Sequence, residues 1–189
     1  NEKDVVFEIL LIGDSGNIKR HKPDEALELL RNHLPKSENS CVIFLGDNIY
    51  PKGLPEVTHP LRKDAETVLI RHHEALENYK GKVIFISGNH DWNKGKANGI
   101  EYVLRQEKYV HDLFHQQALY IPEAGCPGPA IVKDLNEHVC IIAINTQWWV
   151  QKGFRPIGKH NDCNVESESE FFEKLKSTLE ENKHKRIIV

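Results

Sequence analysis

Three short stretches hold most of the residues able to do chemistry: Gly13-Asp14-Ser15-Gly16-Asn17, Gly46-Asp47-Asn48-Ile49-Tyr50 and Gly88-Asn89-His90-Asp91. Oxygen ligands gathered with an imidazole suit hard or borderline divalent and trivalent cations. Two such cations ~3.5–4 Å apart repel, and stay together only across a shared anion. The Asp47 carboxylate fits that bridging role, leaving Asp14 and Asn89 to serve one ion each. His90 stands between a ligand and an acid, placed to protonate a leaving oxygen while Asp91 orients its ring.

These residues need elements that bring them together. Each stretch follows an apolar run that reads as a buried strand: Glu8 to Ile12, Cys41 to Leu45 and Val83 to Ser87. In open α/β sheets, ligands collect beyond the carboxyl ends of the strands. Three such ends place Asp14, Asp47, Tyr50, Asn89, His90 and Asp91 around one crevice. Gly13, Gly46 and Gly88 let the backbone turn sharply off each strand. Helical spacing follows each of these runs. A first helix opens at Pro23-Asp24-Glu25 and stops at Pro35, a second runs from about Leu61 to Tyr79 and closes at Gly81, and a third covers Ile100 to Phe114. His72 and His73 point about 100° apart on the second helix and read as packing or surface residues. His111 and His115 lie at i, i+4 but lack the flanking Glu of a zinc-protease helix.

Beyond Gly125-Cys126-Pro127-Gly128-Pro129 the alternation changes. Ala130 to Leu135 and Val139 to Ile144, joined by Asn136-Glu137-His138, read as an antiparallel hairpin that begins a second sheet. Gln147-Trp148-Trp149 reads as a loop whose rings pack on the core, and Lys152 to Glu166 as a long polar loop. Ser167 to Glu170 forms a capping box before a helix that buries Phe171, Phe172, Leu175 and Leu179, and Lys185 to Val189 opens another strand. The expectation is α/β: a two-sheet β-sandwich flanked by helices, in one domain spanning 1–189.

An Asp at one strand end, Gly-Asp-Asn-x-Tyr at a second and Gly-Asn-His-Asp at a third resemble the motifs of the calcineurin-like metallophosphoesterase superfamily. Within it the chain is most similar to the purple acid phosphatase branch. Many members carry Asp-x-His in the first motif, where this chain has Asp14-Ser15-Gly16. The branch replaces that histidine with a tyrosine three residues after the bridging aspartate, here Tyr50. The resemblance implies an αββα fold and a metal-dependent phosphatase acting on small phosphorylated substrates, monoesters rather than diesters. It implies two metal ions, Fe(III) with Fe(II), Zn(II) or Mn(II), and a metal-bound hydroxide as nucleophile. Asp14, Asp47 and Tyr50 would ligate the first ion, Asp47 and Asn89 the second. His90 and Asp91 are then catalytic, and Asn48 is assigned to the substrate. A secreted or periplasmic setting is implied by the family alone. Three further histidine ligands of the family are expected after Val189, with the C-terminal part of the fold. Three other readings stay open: a non-catalytic binding domain of the same fold, a phosphodiesterase, and a structural domain whose three loops are plain turns.

Composition narrows the classes. A formal net charge of −3 with interspersed acids and bases gives no basic footprint for a nucleic acid. No run approaches the ~20 apolar residues of a membrane span, and the polar, Met-less start reads as a trimmed or mature form. Oligomeric state is not legible. Four cysteines are too few for a disulfide scaffold; Cys41 and Cys140 sit in apolar strands, while Cys126 and Cys163 lie in loops and could pair in an oxidising compartment. The basic run Lys19-Arg20-His21-Lys22, and Lys94 with Lys96, read as solvated loops that could also meet an anionic substrate.

Overall fold

The computed structural model describes residues 5–17, 24–115, 117–132 and 135–189; the basic run 19–22 and Pro23 lie outside them. Strands β1 (Glu8–Ile12), β2 (Ser40–Phe44), β3 (Lys82–Phe85) and β4 (Ala118–Tyr120) form one parallel sheet in that order. Strands β5 (Ala130–Ile131), β6 (Val139–Ala143) and β7 (Arg186–Ile188) form a second, with β5 antiparallel and β7 parallel to β6. Helices α1 (Glu25–Asn32), α2 (Arg62–Ala75) and α3 (Gly99–Leu113) follow β1, β2 and β3.

Alternation along the strands builds two cores. Val42 and Phe44 of β2, with Val83 and Phe85 of β3, pack with Leu27, Leu69, Val103 and Val110 from the three helices. The intervening residues Cys41, Ile43 and Ile84 point the other way and meet Val139, Ile141 and Ala143 of β6. A strand with apolar residues at every position is therefore buried on both faces, between helices and the second sheet. This is the expected two-sheet sandwich with helices outside.

Five local expectations change, one of them at Phe172, which was expected to be buried by the last helix and is 58% exposed. Strand β4 was not anticipated, because three residues are too few for a period to register. Helix α2 ends at Ala75, before the expected Tyr79, and Asn78 takes the left-handed conformation, φ 66°. Gln147-Trp148-Trp149 belongs to a short helix α4 (Thr146–Val150), N-capped by the Asn145 side chain, which accepts from the Trp148 N–H. Trp148 is buried, its Nε1–H donating to the Pro156 carbonyl, while Trp149 packs on Phe171 and Phe172 of α5 (Glu168–Glu181). The cap of α5 is realised in altered form: Ser167 accepts from the Glu170 N–H, but the Glu170 carboxylate takes the N–H of Glu166.

Cys126 and Cys163 form a disulfide; Cys41 and Cys140 are free and buried. No helix among the described residues is long and apolar enough to cross a membrane.

Candidate metal centre

Register brings the three motifs to one edge. Ile12, Phe44 and Phe85 stand side by side across β1, β2 and β3, so the loops that follow leave the sheet together. They are then stitched to one another: the Gly16 N–H donates to the Asp47 carbonyl and the Tyr50 N–H to the Gly16 carbonyl, both at 3.1 Å. A Cβ on Gly16 would lie 2.3 Å from the Asn48 carbonyl carbon, and one on Gly88 2.3 Å from Asp47 Oδ1. Bare backbone at these two positions is what lets the loops close up. Gly13 has open space around it. The turn off β1 is made instead by Asp14, which like Asp47 holds a left-handed backbone, φ 56° and 54°, a conformation short polar side chains tolerate.

Around the crevice, the Tyr50 hydroxyl lies 2.5 Å from Asp14 Oδ1 and 3.0 Å from Asp47 Oδ2. Desolvation, and then hydrogen bonding to the two carboxylates, push the phenol pKa up. Three oxygens thus converge on one proton, and a hard cation taking its place would find an oxygen-rich donor set. Asp47 Oδ1 accepts the His90 N–H at 2.9 Å. Asn89 is exposed, and its side chain has no hydrogen-bond partner among the described residues. Also among the described residues, no three His, Cys, Asp or Glu side chains are grouped to hold a metal ion. The crevice supplies two carboxylates, Asp14 and Asp47, and makes up its set with a phenol and an amide. These four residues fit the ligand types of a metal centre.

The His90 ring lies against Tyr50, centroids 4.1 Å apart, with Nε2 4.0 Å from Asp47 Oδ2. Its Nδ1 is 2.7 Å from the Pro51 carbonyl, which can only accept, so Nδ1 carries a proton and Nε2 is the nitrogen left for chemistry. This corrects the expectation that Asp91 orients the ring. Asp91 is fully buried, and its carboxylate accepts from the Gly88 N–H at 2.8 Å, from Asn48 N–H and Nδ2, and from Gln106 Nε2 at 3.0 Å. Burial raises its pKa to about 6 despite these bonds. Asp91 therefore ties loops two and three to α3. Asn48 is corrected likewise: it is fully buried, its amide donating to Asp91 and the Ile86 carbonyl, which turns it away from any substrate.

Two contacts of this assembly escaped sequence reasoning: the Gln106 bond to Asp91 and the bond between His72, which reads from the sequence as a packing or surface residue, and Ser15. His72, fully buried in α2, lies with Nε2 2.9 Å from Ser15 Oγ, beside Asp14, and Nδ1 2.8 Å from the Val68 carbonyl. Nδ1 must donate to that carbonyl, so the neutral ring accepts the Ser15 hydroxyl. No local pattern pairs residues 57 apart.

The family model for calcineurin-like phosphoesterases matches residues 7–188. The chain belongs to the calcineurin-like phosphoesterase family. This family is a hydrolase superfamily that acts on phosphoesters and generally binds two metal ions. Searches of curated proteins and of solved structures found no match. In this calcineurin-like phosphoesterase, the sheet edge that carries Asp14, Asp47, Tyr50 and Asn89 is the one where α/β sheets place their ligands.

Proposed function

We propose that this calcineurin-like phosphoesterase is a phosphomonoesterase of the purple acid phosphatase type, with a dinuclear centre. Asp14, Asp47 and Tyr50 would hold one ion, and Asp47 with Asn89 the other. The observation that carries the reading is the Tyr50 hydroxyl of the second motif set between the Asp14 and Asp47 carboxylates, where the first motif, Asp14-Ser15-Gly16, has no histidine. A phenolate ligand favours Fe(III), with Fe(II), Zn(II) or Mn(II) as its neighbour. Metal ions held by these residues would supply Lewis-acid polarisation of the phosphate and activation of water. The His90 N–H on Oδ1 fixes the Asp47 carboxylate, the group that would be shared between two ions. His90, its Nδ1–H fixed on the Pro51 carbonyl, presents Nε2 toward the crevice and as imidazolium delivers a proton to the departing alkoxide. The Cys126–Cys163 disulfide supports an oxidising compartment.

Asp47→Asn tests the reading. Metal content by elemental mass spectrometry and turnover of 4-nitrophenyl phosphate should both fall, turnover by more than the roughly 10–100-fold typical for loss of an outer-shell partner. Full turnover with normal metal loading would overturn it. Metal retention by the wild type without hydrolysis of any phosphoester would favour a binding domain of the same fold.

A further inference from the structure

A cavity of about 430 Å³ opens beside the crevice and shares Tyr50 and Pro51 with it. Its size matches a small organic ligand. One wall is apolar, made by Pro55, Leu61, Ala65 and Val68, the last two buried in α2. Two cations also line it, Lys52 and Arg71. Among the described residues, Lys52 Nζ has one weak contact, 3.5 Å to His59 Nε2. Arg71, half-buried, makes no hydrogen bond or ion pair with another described residue. A neighbouring cleft brings Asp24, Glu28 and Glu74 near the same arginine, none of them paired with it. Asp64 lines the cavity too and has an interaction of its own.

An alcohol leaving a phosphate held at Asp14, Asp47 and Tyr50 has the Tyr50–Pro51 side of the crevice open to it. Apolar walls there reward an apolar body, and a half-buried guanidinium with no partner among the described residues matches the fork of a carboxylate. We propose that the cavity is a leaving-group subsite, specific for phosphomonoesters whose alcohol is an apolar, ring-sized body bearing a carboxylate, which Arg71 grips with help from Lys52. The inference rests on the phosphoesterase reading for the position of the phosphate.

Binding and hydrolysis together test it. Isothermal titration of the wild type, with Zn(II) present, compares benzylphosphonate with its 4-carboxy derivative, neither of which can be hydrolysed. The carboxylated probe should bind about tenfold tighter, the contribution of one charge-assisted pair. The gap should close in Arg71→Gln and narrow in Lys52→Gln, with far-ultraviolet circular dichroism verifying both folds. Equal affinities in the wild type, no binding of either probe, or a gap that survives Arg71→Gln would overturn the subsite. The corresponding phenyl phosphates separate the two readings. Hydrolysis without a carboxylate preference overturns the subsite alone, whereas a preserved affinity gap without hydrolysis overturns the phosphoesterase, and the leaving-group role with it, leaving a cavity that binds carboxylates.

Discussion

Asp91 holds neighbouring loops together through its buried carboxylate and makes no hydrogen bond to the His90 ring among the described residues. Four donors converge on its buried carboxylate: the Gly88 and Asn48 backbone N–H groups and the side-chain amides of Asn48 and Gln106. Removing it leaves those donors buried and unpaired, and each costs about 1–3 kcal/mol when orphaned. Asp91→Ala should therefore lower stability by about 3 kcal/mol or more, read as a shift in the urea midpoint. An unchanged midpoint with lost turnover would restore a direct catalytic role. The sequence shows that Asp91 adjoins His90, but adjacency says nothing of direction: the two side chains diverge, one to Pro51 and one to Gln106. Asn48 was misread for the same reason. The gathering of Asp14, Asp47 and Tyr50 was legible because it depends on position after a strand, which a sequence displays.

The elements matter through what they hold still. His72 on α2 pins Ser15, next to Asp14, and burial pushes its pKa down from 6.5 to about 4. Between those values the unfolded chain binds the proton and the native ring does not, so this contribution is complete above pH 6.5 and is lost as pH falls toward 4. Asp91 acts in the opposite sense. Its carboxyl, raised from 3.8 to about 6, binds more protons when native, so its contribution declines as pH rises through that window. Comparison with His72→Gln isolates the histidine. The wild type should lead at pH 7, and its lead should shrink by on the order of 3 kcal/mol by pH 4. A difference independent of pH would contradict the neutral, buried ring. Strands β1, β2 and β3 and the hairpin were readable from apolar runs and turn residues, as were the cores of the helices. Strand β4 has three residues, and α4 owes its start to a cap, Asn145, among aromatics that read as a loop. The His72–Ser15 bond joins segments that only the folded sheet brings together.

Across the molecule, one parallel sheet carries the candidate site at its edge and the second sheet packs against its back. The Cys126–Cys163 disulfide ties the segment after β4 to the long loop before α5, across 37 residues of chain. Closing a loop of that length removes unfolded-state entropy worth about 4 kcal/mol at most. The double change Cys126→Ser and Cys163→Ser should lower the urea midpoint by 2–4 kcal/mol equivalents, and an unchanged midpoint would mean that packing alone holds the loop. The central claim concerns the open edge of the first sheet, where Tyr50 joins Asp14 and Asp47 as a metal ligand. Titration with Fe(III), followed by visible absorption, tests it most directly. The account predicts a tyrosinate-to-iron charge-transfer band in the wild type that is absent from Tyr50→Phe and kept in Tyr79→Phe. No band in the wild type, or a band that persists in Tyr50→Phe, would contradict it.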